Sequence, residues 1–142
     1  RRAQLGTNYT PLYSAQTAAG MISTVEDLAR FDIAFDAGRI VSAATRESMF
    51  TASVNSKGEA LPYGLGWFVE SVGGKQLIWH YGWFPPTVSA LYLKVPEQRL
   101  TLVLLANCDA LSAKMAWTAR GVRASPFATA FLERVAGVAT SP

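Results

Sequence analysis

Apolar positions follow a helical rhythm near both ends of the chain and a strand rhythm in the middle. Leu28, Phe31 and Phe35 recur at helical spacing, with Asp27, Arg30 and Asp36 on positions left for water, so the pattern predicts an amphipathic helix over 24–37. Ser23-Thr24-Val25-Glu26 has the form of a capping box. In that motif the Ser23 hydroxyl accepts from the Glu26 amide while the Glu26 carboxylate reaches back to the Ser23 amide. Gly38 supplies the stop. A second, shorter helix follows Ser42 and carries Met49 and Phe50, and Thr51 to Leu61 then reads as a polar loop. Ahead of these, Arg1 to Gly20 holds turn-formers and the run Asn8-Tyr9-Thr10-Pro11-Leu12-Tyr13 without a sustained period, which predicts an extended segment.

From Pro62 the composition turns to aromatic and branched residues. Four strands are predicted, Tyr63 to Glu70, Gln76 to Tyr81, Val88 to Val95 and Leu100 to Ala106. The connections through Gly73-Gly74 and Pro96-Glu97-Gln98-Arg99 are too short for helical crossovers, so the first and last pairs should be antiparallel hairpins. After Asn107 the helical pattern returns, with one piece over Leu111 to Arg120. A last helix is capped by Ser125-Pro126 and carries Phe127, Phe131, Leu132 and Val135 on its apolar side. Helix, sheet, helix in that order predicts an α+β unit over 1–142: a mainly antiparallel sheet of about four strands flanked by helices.

Composition narrows the function classes. Half of the 142 residues are hydrophobic, enough for a continuous core, while only 16% are charged against roughly 25% in average domains. Little polar material is left to cover a surface, which points to a face meant for burial. The net charge is +3, but the 13 Lys and Arg are scattered from Arg1 to Arg134 with no stripe, so no nucleic-acid partner is expected. The longest apolar stretch, Leu102 to Ala106, is far short of the roughly 20 residues of a membrane-spanning helix. No apolar h-region follows Arg1-Arg2-Ala3-Gln4. One cysteine and one histidine make neither a disulfide nor a structural zinc set, and Cys108 is expected to be a buried small residue. No cofactor is implied.

Two stretches together resemble the family of serine β-lactamases, penicillin-binding DD-peptidases and related esterases. The first is Ala18-Ala19-Gly20-Met21-Ile22-Ser23-Thr24-Val25-Glu26-Asp27-Leu28-Ala29-Arg30-Phe31. The second runs from Tyr63-Gly64-Leu65-Gly66-Trp67 through Trp79-His80-Tyr81-Gly82 to Leu104-Leu105-Ala106-Asn107, in the family's order and spacing. The resemblance implies the C-terminal part of the β-lactamase/DD-peptidase-like fold and a periplasmic or extracellular setting. Family chemistry uses three stations, of the types S-x-x-K, S-D-N and K-T-G. No serine here has a Lys three residues on, and Ser112-Ala113-Lys114 has the wrong spacing. The second station is likewise read as missing. The chain is therefore expected to start after both and to be inactive by itself.

The resemblance puts His80-Tyr81-Gly82 at the third station in its H-x-G form. It implies that Gly82 lets substrate lie against the backbone, that the Trp83 amide is one oxyanion donor, and that His80 orients substrate or tunes the missing base. Tyr81, Trp79 and Phe84 are expected to contact substrate, while Trp67 suits core packing better. Pro85-Pro86 departs from the family, where a glycine commonly follows the first proline. The paired acids Glu26-Asp27 sit in a first helical turn and serve the dipole. The leading expectation is part of a serine hydrolase for amide, ester or β-lactam bonds, with a small-molecule or peptide-like substrate in the complete protein. Two alternatives stay open: a non-catalytic module binding a peptidoglycan-like ligand, and a structural subunit completing another chain. Self-association, or a complementing N-terminal region, is expected to cover the face around Trp79 and Trp83.

Overall fold

The computed structural model describes residues 21–113, 115 and 121–140. The predicted extended segment Arg1 to Gly20 lies outside the described residues, as does most of the predicted helix Leu111 to Arg120; within the latter, 111–113 and 115 form turns.

Helix α1 spans Val25–Asp36. Its cap is Thr24, one residue later than the capping-box reading placed it: Thr24 is extended and its hydroxyl accepts from the Asp27 amide at 3.1 Å. The shift puts Asp27, not Glu26, three residues past the cap, so the reciprocal Glu26 bond of the predicted box does not form. Helix α2, Ala43–Met49, starts as predicted from Ser42, whose hydroxyl accepts from the Thr45 amide at 3.1 Å.

The sheet has four antiparallel strands in sequential order, β1 (Phe68–Val72), β2 (Lys75–Phe84), β3 (Val88–Val95) and β4 (Leu100–Ala106). β3 and β4 have the predicted bounds. β1 starts later than predicted, because Pro62 to Trp67 folds as a turn whose backbone pairs with the sheet through an isolated bridge from Tyr63 to Phe68. β2 runs on to Phe84. Gly73 and Gly74 join β1 to β2 with φ of 54° and 74°, the left-handed pair that a two-residue hairpin demands.

Cross-strand partners share a face, and successive residues alternate. Phe68, Trp79, Leu93 and Leu102 therefore line one face, and His80, Tyr92 and Val103 the other. On the first face Leu77, Trp79, Leu91, Leu93 and Val95 pack against Val122, Ala128, Leu132, Ala136 and Val138. Helix α3, Pro126–Arg134, supplies part of that layer and is capped by Ser125, whose hydroxyl accepts from the Ala128 amide at 3.3 Å. The apolar side of α3 is narrower than predicted. Ala128 and Leu132 are buried and Phe131 is partly so, but Phe127 and Val135 are exposed at the margins of the arc that meets the sheet.

The second face carries α1, and its contact is polar. Asp32 is buried and accepts from the Lys94 ammonium and from the Tyr92 hydroxyl; its other oxygen accepts from Thr101 Oγ1 at 2.8 Å. Lys94, 2% exposed, also reaches Asp36 at 3.1 Å. Asp36 was expected to face water alone and instead closes this network. Burial by itself raises the Asp32 carboxyl, but the hydrogen bonds from Lys94, Tyr92 and Thr101, with the Lys94 charge, outweigh it and hold the group below the ordinary carboxylate value. Burial, with Asp32 beside it, pushes the Tyr92 hydroxyl far up, so it stays a donor.

Beside the network, Trp67 packs as core, its ring 5.2 Å from Tyr92, 6.0 Å from Phe50 and 6.4 Å from Phe35. Gly64 explains how the turn before Trp67 reaches α2. A Cβ there would overlap the Met49 carbonyl and lie 2.8 Å from that of Thr51, so only glycine permits the approach that the Leu65 amide completes by donating to Met49 O at 3.1 Å. Cys108 is exposed, not buried as expected, because it follows the end of β4 in a bend at the sheet's rim. Among the described residues no helix is long and apolar enough to cross a membrane.

Candidate functional site

The H-x-G residues lie where the ladder changes. β1 pairs with β2 only from Lys75 to Trp79, while β3 continues along it to Phe84. From His80 to Phe84 the outer edge of β2 thus has no strand partner among the described residues.

His80 opens this free edge. Its Nε2 lies 3.1 Å from the Tyr63 hydroxyl, and its ring is flanked by Phe68 (centroids 5.6 Å), Tyr63 (6.1 Å) and Tyr81 (6.2 Å). Partial desolvation among these rings holds the imidazole below its usual pKa, against a smaller opposing influence of the Tyr81 backbone. The neutral form therefore dominates at pH 7.

Gly82 faces the same side as His80. A Cβ at Gly82 would meet Ala90 alone, its side chain at 3.6 Å and its backbone nitrogen at 3.9 Å, both ordinary contacts, and the Gly82 backbone is not left-handed. The chain's own packing does not require glycine there. Phe84, 51% exposed, shares that face, and Trp83, 40% exposed, projects from the opposite one.

Two of the predicted substrate contacts are placed differently. Trp79 is 3% exposed, stacked on Phe68 at 4.3 Å, and its indole N–H donates to Glu70 at 3.0 Å. It is a core residue, turned away from His80 by the strand's alternation. Tyr81 shares that inward face and packs partly buried against the core. Glu70 also accepts from the Val122 amide at 3.0 Å, tying the C-terminal layer to β1.

Tyr63, which the structure brings to His80, was not among the expected site residues. The available signal was its position at the head of Tyr63-Gly64-Leu65-Gly66-Trp67, a stretch that otherwise reads as strand. The second station also needs correction, since Ser53-Val54-Asn55 does have Ser-x-Asn spacing. The structure spends Asn55 locally: its Oδ1 accepts from the amides of Lys57 and Glu59, and its Nδ2 donates to the Glu59 carboxylate at 2.7 Å.

The antiparallel sheet with helices on both faces is an α+β fold consistent with a β-lactamase-like domain. A profile of the family described as Beta-lactamase matches residues 1–124, and the chain belongs to that family. Among individual proteins it is similar to Penicillin-binding protein 4* of Bacillus subtilis (strain 168), 31% identical over 103 residues, which cover 71% of this chain and 23% of that relative. The chain thus spans less than a quarter of the relative's length. No solved structure matches it.

Proposed function

We propose that this chain is the C-terminal part of a serine hydrolase that cleaves amide, ester or β-lactam bonds through an acyl-enzyme, with water as the final acceptor. The observation that carries the reading is the coincidence of the H-x-G residues with the edge of β2 that has no strand partner among the described residues. A peptide-like substrate can lie along that edge over Gly82, where no side chain stands in its way. The Trp83 amide supplies one oxyanion donor and the nucleophile's own amide the other. His80, neutral and partly desolvated, orients the substrate or the general base, and Phe84 flanks the same face. Trp79 and Tyr81 support the strand from its inner side.

The nucleophile belongs to a segment outside these 142 residues, since no serine here has a Lys at the third position after it. Alone, the chain carries no Ser-x-x-Lys hydroxyl to present at the edge. It will therefore form no covalent adduct with a fluorescent penicillin or a fluorophosphonate, read by intact mass, whereas a longer form carrying Ser-x-x-Lys will label stoichiometrically. Labelling of any serine in the 142-residue chain would overturn this assignment. The missing Ser-x-x-Lys is also the observation that favours a second reading, a non-catalytic module holding a peptidoglycan-like ligand on the same edge; a longer form that binds ligand but never labels would establish it.

The chain alone should also self-associate. Phe84, Val88 and Leu105 are 51%, 44% and 44% exposed at one end of the α1-bearing face, next to the free edge of β2. Buried Trp79 takes no part, so the patch sits further along the strand than the sequence suggests. Light scattering over a concentration series should show the mass rising above 15.3 kDa. A monodisperse species of that mass at high concentration would contradict it.

A further inference from the structure

We propose that Tyr63 is a positioning residue for His80, its hydroxyl donating to Nε2 and so holding the imidazole in its Nδ1–H tautomer at the head of the free β2 edge. The inference rests on the reading of His80 as a substrate-edge residue and adds what fixes that residue in place.

The 3.1 Å contact joins side chains 17 positions apart, brought together by a turn whose backbone is held at several points. The Tyr63 carbonyl accepts from the Ser53 amide at 2.9 Å, the Gly64 amide donates to Trp67 O at 2.8 Å, and the Val69 amide donates to Pro62 O at 3.1 Å. Gly64 is wedged against the Met49 and Thr51 carbonyls, and the Tyr63 ring stands edge-on to Phe68 at 4.8 Å. The hydroxyl therefore reaches His80 from a rigid support and loses little freedom in making the bond.

A neutral imidazole has one acceptor nitrogen and one donor. If Nε2 accepts from Tyr63, the proton sits on Nδ1. Free imidazole side chains prefer the other tautomer, so the pair leaves a spectroscopic trace. Functionally, the arrangement fixes the ring's rotamer and directs its one remaining polarity, as second partners do for other working histidines.

His80 is the only histidine in the chain, so its ring nitrogens can be read by ¹⁵N NMR without assignment. The 142-residue chain should show the Nδ1–H pattern, and Tyr63→Phe should shift it toward Nε2–H with the backbone spectrum otherwise retained. An Nε2–H tautomer in the unmutated chain, or a tautomer unmoved by Tyr63→Phe, overturns the proposal. In a longer, active form, Tyr63→Phe should lower kcat by about three- to tenfold with KM little changed, and adding it to His80→Ala should cost nothing more. Additive losses would mean that Tyr63 acts other than through His80, against the proposal. A tautomer that moves while His80→Ala leaves kcat/KM intact would keep the Tyr63–His80 pairing and sink the catalytic reading of His80 instead.

Discussion

Replacing Asp32 with Ala should lower the unfolding free energy by about 3–5 kcal/mol, the cost of leaving a buried charge without its partner. Lys94 is 2% exposed and would keep only half-exposed Asp36 and the Thr101 hydroxyl, while Tyr92 would lose its acceptor. Such a loss takes a large share of the 5–15 kcal/mol that domains typically possess. The double variant Asp32→Leu/Lys94→Met should lose much less, because neither charge then needs a partner. Urea unfolding of the two variants beside the unmutated chain decides the matter, and an Asp32→Ala cost below about 1 kcal/mol would show that the network relaxes into water. The pH dependence follows from the same geometry. The folded Asp32 pKa lies below its unfolded value, so the unfolded chain binds the proton more readily as pH falls. The stability this supplies is complete above about pH 4, the ordinary carboxylate value, and is lost as pH drops through the lower folded value.

In a longer form carrying the nucleophile, His80→Ala should reduce kcat/KM by roughly ten- to a thousandfold, the scale of losing one positioned polar group near the reacting atoms. Stability should change little, since His80 is exposed and the one side-chain hydrogen bond lost is that to Tyr63. The pH profile adds a second signature. Because desolvation lowers the folded pKa of His80, the neutral ring persists through neutrality, and the acid limb it controls should fall below the usual imidazole value of about 6.5. That limb should disappear in His80→Ala. A well-folded variant with unchanged kcat/KM and an unchanged limb would make His80 a strand residue at a polar rim and nothing more.

Much of this chain was legible along its length. The hairpin at Gly73-Gly74, the limits of β3 and β4, the start of α2 at Ser42 and the Ser125 cap all follow from local chemistry: left-handed φ, alternation on a pleat, and hydroxyls that satisfy the first amides of a helix. The His80-Tyr81-Gly82 motif and the two flanking stretches were enough to point to the family that residues 1–124 match. Where the reading failed, the deciding contacts were distant in sequence. Thr24 in place of Ser23 as the α1 cap is a one-residue choice, which the docking of a whole helix can settle. Asp32 looks like any polar residue of a helix until Lys94 and Thr101, 62 and 69 positions away, are brought beneath it. Trp79 looks like a pocket aromatic until the pleat turns it inward onto Phe68 and Glu70. Tyr63 reads as strand until a glycine with no room for a Cβ folds its turn against α2 and delivers its hydroxyl to His80. The sequence by itself determined the elements and the motif, because propensity, capping and alternation act over a few residues. Only the tertiary structure decided which side chains face each other, where β1 stops covering β2 and which charge is buried, because those depend on the register of strands and the seating of helices.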